Sequence, residues 1–294
     1  MGKHIMGWSG RCLEFGEKPL IMGIVNITPD SFSDGGVFFD PEAAIAHGIT
    51  LAAQGADILD IGGESTRPFA ETVTVAEELR RVIPVIEALV KRVSIPISID
   101  TTKSEVARRA LEAGAAIVND ISAFRMDEKL ADIVRDYGVP VIIMHMLGTP
   151  KTMQIAPAYK NLIEEIRVFL ENAIKYAEKK GIGRDRIIID PGIGFGKTPI
   201  HNLQLIKHVD KLKSIGCPIL IGPSRKAFIR HLLKEPGGTD LSPDAPIVET
   251  GTQAVIAIAA LNGADILRVH NVAGTRATLK LITAIQTASL NLEA

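Results

Sequence analysis

Gly55-Ala56-Asp57-Ile58-Leu59-Asp60 and Gly263-Ala264-Asp265-Ile266-Leu267-Arg268 are nearly the same phrase, written twice and some 200 positions apart. Looser copies occur at Gly114-Ala-Ala-Ile-Val-Asn119, Gly138-Val-Pro-Val-Ile-Ile143 and Gly216-Cys-Pro-Ile-Leu-Ile221. Each is a glycine that stops a helix, followed at once by a short β-rich apolar run. The repeating unit is therefore helix then strand.

Working outward from these copies, apolar runs fall at 20–25, 58–61, 95–99, 117–118, 139–144, 187–189, 219–221 and 266–269. They are continuously apolar rather than alternating, which predicts strands buried on both faces. Strict alternation with helices makes them parallel. Eight such units predict a single-domain (β/α)8 TIM barrel over residues 19–294, with residues 1–18 as an N-terminal extension packing on it. A doubly wound open sheet is the competing arrangement.

The helices carry their own signals. Asp40-Pro41-Glu42 marks a helix start, and Thr74-Val-Ala-Glu77 and Thr102-Lys-Ser-Glu105 both match the capping box. From Leu162 to Ala177 the apolar residues keep helical spacing until Gly181. Residues 235–246 read as a surface loop. The segment from Val248 to Leu261 is apolar on most of its surface, which predicts one side against the barrel and the rest against another subunit.

Composition bounds the function. The 294 residues include 33 basic and 34 acidic side chains, a net charge of −1, so no general nucleic-acid or membrane surface is expected. Cys12 and Cys217 form no CxxC pair, and no run approaches the roughly 20 apolar residues of a membrane span. The expectation is a cytoplasmic protein.

Polar residues gather where the apolar runs end. Asn26, Asp60, Asp100, Asn119 with Asp120, His145, Asp190, Ser224 with Arg225 and Lys226, and Arg268 with His270 all lie at or just past a C-terminal strand end. Burying a charge there costs several kcal/mol unless it is paired, so eight independent accidents are a poor explanation. In a barrel these ends converge on the face where chemistry is done. Asp100, Asn119, Asp190 and Lys226 can pair with a planar heterocycle bearing adjacent donors and acceptors. Asn26, Arg268 and His270 suit an anion, with the Asn26 amide oxygen a hard ligand for Mg²⁺. His145 is turned away from Met144 by strand alternation, leaving it a structural or outer role. The Gly192–Thr198 segment fails the phosphate-loop pattern because Pro191 stands at its first glycine. Among the seven His, neither HxxxH nor HExxH occurs.

Eight segments carry a resemblance: NITPDSFSDGG (26–36), DIGGESTRP (60–68), SIDTTK (98–103), NDIS (119–122), MHMLGTP (144–150), DPGIGFGK (190–197), GPSRK (222–226) and RVHN (268–271). In this order and spacing the chain resembles the dihydropteroate synthase family from about Pro19 onward. A related family of pterin-binding methyltransferases shares the barrel, but does not typically carry the Ser-Arg-Lys and Arg-x-His segments together.

The resemblance implies condensation of 6-hydroxymethyl-7,8-dihydropterin diphosphate with 4-aminobenzoate, by an SN1-like path. It implies a pterin pocket of Asp100, Asn119, Asp190 and Lys226 lined by Met144 and Phe195. The diphosphate and its Mg²⁺ would fall to Asn26, Thr66, Arg268 and His270. The aminobenzoate site would draw on Phe32, Arg67, Pro68 and Ser224, with Asp34 stabilising the pterin-methyl cation. A homodimer is implied as well. General barrel architecture would put the diphosphate after the seventh and eighth strands, whereas the family pattern puts ring and benzoate contacts at Ser224–Lys226; the family pattern is followed here.

Overall fold

A computed structural model describes residues 4–27, 40–65 and 72–288. It opens with a hairpin of β1 (His4–Trp8) and β2 (Arg11–Phe15), then alternates β3 (Leu20–Asn26), α1 (Pro41–Ala53), β4 (Ile58–Gly62), α2 (Val75–Val90), β5 (Ile97–Asp100), α3 (Ser104–Glu112), β6 (Ile117–Asp120) and α4 (Lys129–Tyr137). The alternation continues through β7 (Val141–Met144), α5 (Leu162–Lys179), β8 (Ile187–Asp190), α6 (Pro199–Lys207), α7 (Val209–Leu212), β9 (Leu220–Ile221), α8 (Ala227–Leu233), α9 (Pro246–Leu261), β10 (Ile266–Val269) and α10 (Val272–Thr287).

The strands from β3 to β10 form one parallel sheet in the order β8-β7-β6-β5-β4-β3-β10-β9. A parallel bridge between Ile189 and Ile219 joins its two ends, so the sheet closes into a (β/α)8 barrel. An open doubly wound sheet would leave those ends apart.

The repeated phrase explains both the turns and the register. Gly55 and Gly263 have φ of +97° and +98°, the left-handed conformation that ends a helix without Cβ strain. Two residues on, Asp57 accepts the Ile21 amide at 2.8 Å and Asp265 accepts the Ile219 amide at 2.9 Å. Each aspartate thus pins the start of a neighbouring strand. The strands are buried almost throughout, β4 along its whole length, because helices cover the outside and side chains fill the inside.

The β1–β2 hairpin has no counterpart among the apolar runs of the sequence. Its Met6, Trp8, Leu13 and Phe15 face inward and belong to the same buried cluster as the barrel strands. Helix starts follow their local signals unless a distant group competes. Asp40 accepts the amides of Glu42 and Ala43, and Thr74 accepts that of Glu77 at 3.2 Å. The expected cap at Thr102 is not used: α3 begins one residue later, and its Ser104 amide is taken at 2.8 Å by Asp127 from the loop after β6. A capping box that the sequence reading missed forms instead at Thr198 and His201, because the side chain reaching back to the cap is a histidine rather than the usual Glu or Gln.

Candidate active site

The C-terminal strand ends meet at one mouth. Asp60 on β4, Asn119 on β6 and Arg268 on β10 come from alternate strands, which in such a barrel point into one layer of the interior. Asp60 Oδ2 accepts both from Asn119 Nδ2 at 3.0 Å and from Arg268 Nε at 2.6 Å. Arg268 Nη2 donates to Asp100 Oδ2 at 2.7 Å. The guanidinium is therefore held by two carboxylates, leaving Nη1 as the nitrogen outside these pairs.

On the opposite wall, Asp190 ends β8 and accepts the Gly192 amide through Oδ1 at 2.7 Å. The following loop returns Phe195 to the site, with Lys226 Nζ 4.2 Å from its ring centroid. Phe195 is buried with Ile121, Met144, Met146 and Met153 in a small apolar cluster separate from the main core. Asp190 lies in the field of Lys226, Lys197 and Arg268, and Asp100 in that of Arg268, Asp60, Glu78 and Lys226. Asp100, Asn119 and Arg268 are thus joined through Asp60, while Lys226, Phe195 and Met144 are grouped beside the end of β8 that carries Asp190.

His270 stands beside this group: its Nδ1 lies 3.0 Å from Ser224 Oγ, which also accepts the His270 amide at 3.3 Å. Asn26 ends β3, half-buried, where a Cβ on Gly62 would lie 3.8 Å from its Oδ1 and 3.5 Å from Asp100 Cβ. Arg225 turns away and pairs with Asp244 outside. Phe32, Asp34, Thr66, Arg67 and Pro68 lie outside the described residues.

Burial raises the Asp190 carboxyl to about 6, against the opposing pull of the Gly192 amide and nearby cations. Burial likewise raises Asp100 to about 7, with Arg268 opposing and Asp60 adding to the rise. Two carboxyls poised near neutrality can meet a ligand's N–H groups, with binding drawing them into the ionised form.

The loop leaving β8 is built for close approach. Gly192 has φ +72°, and a methyl group there would overlap the carbonyl oxygen of His145. Gly192→Ala is expected to cost the left-handed strain of about 1–2 kcal/mol plus that overlap. A thermal midpoint within 1 °C of the parent would show that the loop is not held this tightly.

Two members of the site were missed from sequence. Asp60 was placed at a strand end but given no role, although Gly55–Asp60 and Gly263–Arg268 set its acid and the Arg268 base at the same position of two phrases. Lys197 closes the DPGIGFGK segment but is given no role, because the phosphate-loop pattern around it fails.

A family model described as pterin binding enzyme matches residues 22–270. The dihydropteroate synthase of Synechocystis sp. is 45% identical over 272 residues, covering 92% of each chain. The chain belongs to the dihydropteroate synthase family of pterin-binding enzymes. The solved Xanthomonas albilineans dihydropteroate synthase with 4-aminobenzoic acid superposes with a TM-score of 0.88 at 46% identity, covering 98% of this chain and 100% of that one. The same enzyme in complex with 7,8-dihydropteroate gives a TM-score of 0.85 at 44% identity, covering 97% and 100%. The family's barrel is the fold seen here, and the matched residues run from β3 to the end of β10.

Proposed function

We propose that the chain condenses 6-hydroxymethyl-7,8-dihydropterin diphosphate with 4-aminobenzoate, forming 7,8-dihydropteroate and pyrophosphate. The observation that supports this reading is that buried and part-buried carboxyls, Asp190 and Asp100 among them, and the paired Arg268 guanidinium all lie at C-terminal strand ends of one closed barrel.

Asp190 accepts from the aminopyrimidine edge of the pterin, while Asp100 and Asn119 take other ring heteroatoms and Lys226 donates to an acceptor. Phe195 and Met144 cover the ring faces. Arg268, with His270 alongside, faces the diphosphate; Ser224 borders the aminobenzoate. Thr66, Phe32, Asp34, Arg67 and Pro68 are assigned from the family motifs to the diphosphate and aminobenzoate sides.

The arylamine is neutral near pH 7 and needs no strong base. The barrier lies in the leaving group. As the C–O bond breaks, its electron pair goes to pyrophosphate, whose growing charge Arg268 offsets. The ring shares the positive charge left on the exocyclic methylene, giving an SN1-like path. The amine lone pair then forms the C–N bond and the nitrogen sheds its proton to water.

The donor set suits Mg²⁺ carried by the diphosphate. Among the described residues no group of three or more His, Cys, Asp or Glu could hold a metal, whereas Mg²⁺ keeps its waters and phosphate oxygens and needs few protein ligands. Asn26 would supply one hard oxygen. The ion would add positive charge beside the departing phosphates.

A homodimer through α9 and α10 accounts for their outer faces, where Ile247, Ile258, Leu261, Leu281 and Ile285 stay exposed while Val248, Thr252 and Ile256 pack inward. A monomeric mass by light scattering at micromolar concentration would remove this assignment. Among the described residues no helix is long and apolar enough to cross a membrane, and both cysteines are free. These features suit a reducing cytoplasm.

The test of function is direct. Purified chain, Mg²⁺, pterin diphosphate and ring-labelled aminobenzoate should yield labelled dihydropteroate and an equal amount of pyrophosphate. Pterin binding without product would leave a binding protein, and methyl transfer from a methylpterin to a corrinoid would indicate the sister chemistry.

A further inference from the structure

Lys197 is a charged residue at 3% exposure that the chemistry above leaves without a role. It follows the glycine-rich loop Gly192–Gly196. Its Nζ donates to the Phe195 carbonyl at 2.9 Å and lies 3.0 Å from His145 Nδ1. Burial, with Lys197 and Arg125 nearby, drives His145 down to about 2, so the ring is neutral and Nδ1 accepts. His145 is itself fixed. It meets the Phe169 ring edge-on at 4.8 Å, and its amide donates to the Asp190 carbonyl at 2.9 Å. Arg125 covers that Phe169 ring at 4.9 Å.

Burying an ammonium costs several kcal/mol, and two neutral acceptors recover only part of it. A neutral donor could make the same two contacts without that cost. Among the described residues the carboxyl that favours its charged form is Asp190, which ends the strand two residues before Gly192 and is bonded to both the Gly192 and the His145 amides.

We propose that Lys197 is a positioning residue of the pterin pocket: it ties the Phe195 wall to His145 at the end of β7, whose amide is bonded to Asp190, and in its protonated form sets a positive charge toward the Asp190 carboxyl. The inference deepens the proposed function and rests on Asp190 being a pterin contact.

The groups around Lys197 come from several elements. Asp190 on β8 favours its charged form; burial and Lys226 after β9 oppose it, bringing Lys197 to about 7. His145 after β7 and His201 on α6 are both lowered, by burial first and then by the Lys197 charge. Lys226, Lys197 and Arg268 all lower the Asp190 carboxyl against its burial. Removing one of these three cations raises Asp190 further, so ring binding fails at a higher pH.

Two variants separate the charge from the tether. Lys197→Met loses both; Lys197→Gln keeps a donor for the Phe195 carbonyl and loses the charge. Pterin affinity is measured by calorimetry from pH 5 to 8.5, with KM for each substrate, kcat and the thermal midpoint. In both variants the acid limb of pterin binding is expected to move up by at least about half a pH unit, a few-fold loss at pH 6.5. Lys197→Met should raise pterin KM about tenfold at pH 7, with kcat and aminobenzoate KM within about twofold. Lys197→Gln should recover most of that affinity at pH 8. A lowered midpoint with an unmoved acid limb would overturn the proposal, as would unchanged pterin affinity in both. If Lys197→Met does not fold, Lys197→Gln carries the same test. Absence of pterin binding by the unmodified chain would count instead against the proposed function.

Discussion

Asp190→Asn is expected to weaken pterin binding more than a hundredfold while leaving the fold intact. The loop contact survives, since the Asn carbonyl can still accept the Gly192 amide that Asp190 Oδ1 takes at 2.7 Å. The amide nitrogen, however, then faces the N–H groups of the aminopyrimidine. Two charge-assisted hydrogen bonds of about 1.5–3 kcal/mol each are replaced by a donor opposed to a donor, a loss of at least about 3 kcal/mol. The parent should itself bind pterin less well as pH falls through about 6, where the buried Asp190 carboxyl takes up a proton; Asn at 190 should lose that step and keep only the one that Asp100 contributes near 7. Calorimetry across pH tests both, and affinity within about threefold of the parent would sink the ring assignment.

Arg268→Met is expected to damage stability and turnover together. Asp60 is fully buried, its Oδ1 has no partner among the described residues, and Oδ2 depends on Arg268 and Asn119. Asp100 would lose the same cation. Breaking a buried pair from one side costs about 3–5 kcal/mol, on the order of 10 °C in thermal midpoint. Losing the cation beside the leaving pyrophosphate should lower kcat by roughly a hundredfold or more.

The pH dependence of that damage has a definite sign. Asp100 is raised from 3.8 to about 7 by burial even with Arg268 opposing. A carboxyl raised on folding costs stability in its ionised form. That cost is absent below its unfolded value and complete above its folded one. Without Arg268 the folded value climbs further, so the variant's deficit should grow as pH rises through about 7 and level off below it. A deficit independent of pH would mean that the guanidinium acts by packing alone.

Local signals carried far in this chain because its barrel is made of short repeated units. A glycine entering the left-handed region, followed by a short apolar run, can be read without knowing its neighbours, and so can the Asp40 and Thr74 caps. The Thr102 cap could not be read correctly, because the acceptor that displaces it, Asp127, is 23 residues away. The hairpin of residues 4–15 escaped for a similar reason: its alternating apolar residues are stabilised by a surface that exists only once the barrel has formed.

The site divides in the same way. Sequence by itself determined that polar residues end nearly every strand, and that parallel strands would carry those ends to one face. Which of them touch was decided by tertiary structure. Asp60 meets Arg268 across 208 positions because β4 and β10 flank β3 in a closed sheet, placing alternate strands in one interior layer. Lys197 acquires its surroundings only when its loop folds back on His145, 52 residues earlier. Strand ends follow from local chain preferences, which the sequence states directly. Pairing of buried charges follows from barrel closure, a long-range event that no short stretch encodes.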